Sequence, residues 1–400
     1  MFKKIKIKEH TFLFFILLFI FYIYLISLFP AYKSNDSPEI AAAGYTLGIC
    51  HPPGYPFYIN VSKIFSLIPI GNIAFRINLL SCIIAILILL ITYHILKDIS
   101  LFFFKTGNKI YSALSIFILA FSFIFWNQSI ESKGGIYQLN LLFLSLIIFF
   151  FVKLIVKFNV KYLYLLAYVY SLSLTNHWQS MIILFPLIIF VMWHFRLNLK
   201  MRDLCFIISF FIIGLSVYVF LIIRPFTFPV INWGNTLGLN GFFEFITRKS
   251  YQGEIIRFST NVLMNHIKTF TVFFLQNYWF LWIFIIPGFY ALFRKQKIMF
   301  WSFLYILFIT FFAVVLYNRT RLEVIWLIKI FLMPFEYVIL IFISIGIFFI
   351  FNKYDKYKST LFIVFLIIVF CGAKKNVDFN YRSRDFLSYD MAFNLFNTIN

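Results

Sequence analysis

The feature that most constrains this chain is a succession of apolar stretches, most of them close to twenty residues long. Most are closed by charge or by a Gly/Pro cluster. They fall at about 11–30, 73–96, 110–126, 136–157, 160–174, 178–195, 203–223, 269–293, 298–317, 330–352 and 359–373. A run of about 20 apolar residues in helical conformation matches the hydrocarbon thickness of a bilayer. In lipid, only a helix or a closed barrel satisfies its own backbone polar groups. The expected fold is therefore all-α, a polytopic transmembrane helical bundle of about eleven spans. The short stretches at 160–174 and 359–373 are expected to tilt or re-enter. Composition agrees: 62% of the 400 residues are hydrophobic and 12% charged, against roughly 45–50% and about 25% in soluble domains.

The charged residues give the expected orientation. With the N-terminus cytoplasmic, the cytoplasmic segments are 1–10, 97–109, 153–161, 194–203, 294–297 and 353–358. The first carries four Lys/Arg and each of the others three, nineteen of the 35 in the chain, against four acids: Glu9, Asp98, Asp203 and Asp355. Every one is net positive, as cytoplasmic loops generally are. One missed span would invert this alternation, so the count is expected to hold, with the C-terminus exterior. The formal net charge of +21 then reflects topology, and nucleic acid is not an expected partner. The basic start followed by Thr11–Pro30 is read as a retained first span. It exceeds the roughly 7–15 residues of a signal-peptide core and lacks a small-residue cleavage site. The cysteines Cys50, Cys82, Cys205 and Cys371 show no metal-ligand spacing and no disulfide framework. No metal site is expected. Nor is there a Walker loop, a Gly-rich dinucleotide turn or an HExxH zinc motif.

Polar residues gather on the exterior side. Two exterior loops are long, 31–72 and 224–268, and the tail 374–400 is also outside. In the first loop, Asp36-Ser37-Pro38-Glu39 precedes Ile40-Ala41-Ala42-Ala43. This reads as a short interfacial helix capped by Asp36 or Ser37, with Pro38 and Glu39 in its first turn. A carboxylate held at such a helix start, just outside the bilayer, can also act as a base. The run His51-Pro52-Pro53-Gly54-Tyr55-Pro56 cannot be helical. It is either a stiff hairpin or the wall of a substrate cavity. Arg76 opens the second span, and either faces a cavity or snorkels to the headgroups. Asn176, His177 and Gln179 form a polar turn on the same side. The second long loop adds Arg224, Asn232-Trp233-Gly234, Arg248 and Arg257, cations with an aromatic plate that suit a phosphate beside a sugar ring.

These strings resemble a known family. Asp36 to Ala43, Leu47 to Pro56, Gly71 to Asn78, Asn176-His177, Asn232-Trp233-Gly234 and Phe331 to Pro334 resemble a family of multi-spanning proteins long catalogued as a domain of unknown function. That family is related to the protein O-mannosyltransferases of the GT-C glycosyltransferase superfamily. The resemblance implies a GT-C-like membrane domain over 1–373. It also implies that 374–400 is the place where a larger exterior domain begins. The implied activity is transfer of a sugar from a polyprenyl-phosphate donor to a hydroxyl of a protein or other exported acceptor. Membrane lipid, the lipid-linked donor and that acceptor are the implied partners, and the lipid-linked sugar is a co-substrate with no further cofactor expected. The implied location is a bacterial inner membrane with the site facing outward. Asp36 matches the family's first-loop acid, so Asp36 and Glu39 are the candidate catalytic residues. His51, Tyr55, Arg76, Asn176, His177, Asn232, Trp233, Arg224, Arg248 and Arg257 are the candidate substrate-binding residues. One departure stands out: where the family has Glu-x-Tyr after the third span, this chain has Gly135-Ile136-Tyr137, with Glu131 four residues earlier. The alternatives are a transporter or lipid-handling protein without chemistry, and a truncated, non-catalytic remnant.

Overall fold

The computed structural model describes residues 9–105, 109–234, 236–251, 260–317, 326–354, 356 and 358–399. Among these, all eleven apolar stretches fall on helices. The first part of the chain holds α1 (Glu9–Leu25), α2 (Ser37–Thr46), α3 (Pro56–Ser66), α4 (Ile73–Phe104), α5 (Lys109–Ala120), α6 (Phe123–Ser129), α7 (Ser132–Val156), α8 (Lys161–Leu174), α9 (Trp178–Ile182), α10 (Phe185–His194) and α11 (Met201–Leu215). The rest holds α12 (Val219–Ile223), α13 (Gly238–Ile246), α14 (Thr260–Tyr278), α15 (Ile285–Lys295), α16 (Lys297–Tyr317), α17 (Trp326–Phe331), α18 (Met333–Lys353), α19 (Lys358–Asn380) and α20 (Leu387–Ile399).

Among the described residues, five helical segments are long and apolar enough to cross a membrane: Ile73–Phe104, Ser132–Val156, Met201–Thr227, Lys297–Val315 and Met333–Lys353. The pair Ile110–Ala120 and Phe123–Ser129 makes a sixth if counted as one span, but it bends by 72°. The stretch 110–126 is thus broken rather than continuous. The 269–293 stretch is also interrupted, by a 3₁₀ segment at Trp279–Phe284. These helices make the chain an integral membrane protein.

α4 and α7 form the most extensive helix pair, and α18 packs against α4, α5, α15 and α16. α18 is the best-buried of the long helices. Met201–Thr227 is the least buried, with Leu204, Phe206, Ile208, Ile212 and Ile213 exposed, as expected of a lipid-facing helix. Close approach at the start of α7 depends on glycine. A Cβ on Gly134 would lie 2.2 Å from the Gln128 carbonyl oxygen, and one on Gly135 2.0 Å from Tyr58 Oη.

The first long loop is mostly helical. α2 and α3 pack together and against α4. The turn between them is shorter than the motif His51–Pro56, because Pro56 is already the first residue of α3, where its missing N–H costs nothing. The segment after α19 returns to the end of the first apolar stretch and the start of the first loop: the Arg382 amide donates to the Ser27 carbonyl at 3.2 Å, and the Tyr32 and Tyr389 rings lie 6.2 Å apart.

Candidate functional site

Asp36 immediately precedes α2. Its backbone is already helical, at φ −80° and ψ −4°, and its side chain makes no capping hydrogen bond. The expected helix is present, but the carboxylate is not consumed by capping it. Instead Asp36 Oδ2 pairs with Lys133 Nζ at 2.6 Å, the Asp side chain 41% and the Lys side chain 12% exposed. Glu39, one turn on, is engaged differently. Its Oε1 accepts from the His51 amide at 2.7 Å, and its Oε2 meets His51 Nδ1 at 2.7 Å. On the other side of the same imidazole, Nε2 lies 3.0 Å from Tyr55 Oη.

Tyr55 sits before α3 with φ +45°, a left-handed conformation uncommon for a bulky residue. This turns its ring onto His177, stacked at 6.1 Å and 14°, and edge-on to His51 at 5.4 Å. His177 also contacts Tyr137 at 6.0 Å and Phe331 at 5.7 Å. Burial pushes the His177 imidazole down to about 3, with the Arg248 cation and His51 acting in the same direction. It is neutral at ordinary pH. The Tyr55 phenol is raised well above its usual value, first by burial, so it remains a proton donor.

The second long loop is clasped to the first by backbone. Ile49 and Asn232 form a parallel bridge, with the Ile49 amide on Ile231 O at 2.8 Å and the Trp233 amide on Ile49 O at 3.1 Å. Asn232 enters through this bridge. The Trp233 ring stands edge-on to His51 at 6.3 Å and is 59% exposed. Trp178 Nε1 donates to Ile246 O at 2.8 Å, tying α9 to the same loop.

The candidate arginines divide. Arg76 donates to the carbonyls of Ile70, Ser66 and Gly71 at 2.7, 2.7 and 3.0 Å. Arg224 donates to Leu47 O at 2.6 Å, Thr46 O at 2.8 Å and Thr227 Oγ1 at 2.8 Å, and so holds the C-terminal end of α2. Asn176 is equally engaged, through Nδ2 to Ile136 O at 2.9 Å and Asn140 Oδ1 at 2.7 Å. Arg248 differs. It has φ +57°, stacks on Tyr251 at 4.7 Å, and keeps a buried Nε without a hydrogen-bond partner among the described residues. Its charge acts on both Tyr55 and His177. Arg257 lies outside the described residues.

Lys133 and Lys33 escaped the sequence reading, and Glu131 entered it only through the Glu-x-Tyr departure. Lys133 pairs with Asp36. Glu131 is 4% exposed and pairs with Lys33 at 2.9 Å. It accepts from Ser37 Oγ at 3.3 Å and Gln128 Nε2 at 3.3 Å. The only sequence signal was a charged Glu131-Ser132-Lys133 at the head of an apolar span. The Glu-x-Tyr departure has a steric counterpart, since Tyr58 and Ser81 occupy the space a side chain at 135 would need.

Residues 36–203 match the family model described as the Protein O-mannosyl-transferase TMEM260 N-terminal domain. This part of the chain is related to the protein O-mannosyl-transferases. The chain is 26% identical over 269 residues to the Protein O-mannosyl-transferase tmem260 of Dictyostelium discoideum, covering 61% of this chain and 32% of that protein. It is 29% identical over 241 residues to the Protein O-mannosyl-transferase TMEM260 of Mus musculus, covering 57% and 33% respectively. The chain thus spans about one third of the length of these relatives. The stretch shared with the O-mannosyl-transferase family model contains Asp36, Glu39, His51, Tyr55, Lys133 and His177. Trp233 and Arg248 lie beyond it.

Proposed function

We propose that this chain is a GT-C-type membrane glycosyltransferase. It moves a sugar from a polyprenyl-phosphate carrier to a hydroxyl of a protein or other exported acceptor, with Asp36 as general base. The observation that carries this reading is the state of Asp36. It stands at the head of a loop helix, free of capping, partly exposed and ion-paired, within the region shared with the O-mannosyl-transferases.

The chemistry follows from the surroundings. Asp36 accepts the proton of the acceptor hydroxyl. The acceptor oxygen bonds to the sugar's anomeric carbon as the carbon–phosphate-oxygen bond breaks, through an oxocarbenium-like transition state. The electron pair leaves with the phosphate, whose charge is met by Arg248. Trp233, with its exposed face, and His51 beside it form an aromatic wall that suits a sugar ring. Glu39 holds His51 in place rather than acting as a second base.

The proposed topology has eleven crossings, with the N-terminus cytoplasmic and the C-terminus and the site exterior, in a bacterial inner membrane. The excess of Lys/Arg in the cytoplasmic segments supports it. Outside the cell a sugar must arrive on lipid, which matches the donor class. The test is transfer of labelled mannose from polyprenyl-phosphate mannose to a Ser/Thr peptide by the purified chain in proteoliposomes. Lipid-dependent product is the expected result. Uptake of a polar solute without any transfer would support a transporter instead.

A further inference from the structure

Lys133 occupies an electrostatically awkward place. It is the second residue of α7, at the positive end of the helix dipole, where an anion is favoured and a cation is not. Its side chain is mostly buried. The neighbouring acid, Glu131, is already engaged by Lys33, Ser37 and Gln128. Among its partners is Asp36, at 2.6 Å and with the more open side chain of the two. The pair therefore has the more exposed carboxylate and the more buried ammonium.

This geometry is a poor permanent strut and a good exchangeable one. Asp36 makes no capping bond that anchors it. The lysine stem has four carbons and rotatable donors, which suits a charge that changes partner. A lipid phosphate reaching Asp36 would offer Lys133 another anion, where the Arg248 charge, like that of Asp36, is felt at Tyr55.

On the transferase reading above, we propose that Lys133 is an exchangeable counter-ion. It pairs with Asp36 in the empty site and passes to the donor phosphate when the lipid-linked sugar binds. Asp36 is then left to take the acceptor's proton, and base activation is coupled to donor binding. The exchange itself makes and breaks no covalent bond. In the transfer that follows, the acceptor proton ends on Asp36, and the phosphate leaves with its electron pair, facing Lys133 and Arg248.

The test uses binding rather than turnover. Polyprenyl phosphate and the neutral polyprenol are titrated into the full chain in nanodiscs. The wild type binds the phosphate more tightly. Lys133→Met weakens phosphate binding roughly tenfold or more, the range of a lost charge-assisted hydrogen bond, and leaves polyprenol binding unchanged. Asp36→Asn, which removes a competing anion, binds the phosphate several-fold more tightly than wild type, and the double variant matches Lys133→Met. Lys133→Arg, which keeps the charge, retains phosphate binding and serves if the Met variant does not fold. Unaltered or weakened phosphate binding by a folded Asp36→Asn overturns the exchange, as does undiminished phosphate preference in Lys133→Met. If the wild type itself does not distinguish phosphate from polyprenol, the donor assignment falls and the exchange with it.

Discussion

Both carboxylate oxygens of Glu39 are held by His51, one by its backbone amide and the other by Nδ1, each at 2.7 Å. One acidic side chain thereby closes the turn between α2 and α3 and fixes the imidazole whose other nitrogen meets Tyr55. Asp36, three residues earlier, is left as the more exposed carboxylate. Two acids, one at the head of α2 and one in its first turn, thus take different work, one holding the loop and one more exposed.

Replacing Glu39 tests that division. Glu39→Ala leaves the His51 amide and Nδ1 without partners, and costs about 1–3 kcal/mol for each group left unsatisfied. The melting temperature in detergent falls clearly. Asp36→Asn, which leaves the carboxylate's more exposed position filled by an isosteric amide, lowers it less than Glu39→Ala does.

Arg224 and Arg248 should separate in the same way. Arg224→Met removes the donors that hold Thr46 and Leu47, so it lowers stability and expression. Arg248→Met leaves the melt nearly unchanged and raises the KM for the lipid donor about tenfold or more, the value of one charge-assisted hydrogen bond. Equal losses of stability in both variants would contradict the separation.

His177 makes stability depend on pH. Its imidazole lies near 3 in the folded protein, pushed down first by burial, against about 6.5 when unfolded. Between those values the unfolded chain binds the extra proton, so stability rises with pH. It is fully present above about 6.5 and declines as pH falls toward 3. Melting curves at pH 7 and pH 5 should show this decline, and His177→Gln should flatten it.

The head of α7 should tolerate no added methyl. Gly134→Ala places a Cβ against the Gln128 backbone, and costs about 1–3 kcal/mol as overpacking. Gly372→Ala, with nothing within 4 Å, is the control and should be neutral or slightly stabilising.

The helices were legible because crossing a bilayer demands a long apolar run, and each such run became helical. The bend between α5 and α6 was not, since Phe121-Ser122 carries no Gly or Pro to announce it. The helix after Asp36 was legible from Ser37-Pro38, and the site's first-loop members from their density of chemistry. The partners of Asp36 and Glu131 were not, because Lys133 and Lys33 lie about a hundred residues away from them in sequence. The arginines looked alike in sequence. Only tertiary neighbours decide whether a guanidinium donates to carbonyls, as Arg76 and Arg224 do, or keeps a nitrogen unpaired among the described residues, as Arg248 does.

The central claim is that Asp36 is the base of a lipid-dependent glycosyl transfer. The direct measurement is the initial rate of mannose transfer from polyprenyl-phosphate mannose by wild type and Asp36→Asn, at equal membrane content and equal melting temperature. General base catalysis contributes about 10²–10⁴-fold, so the variant should lose at least a hundredfold in kcat. A folded Asp36→Asn protein that transfers at the wild-type rate would contradict the account.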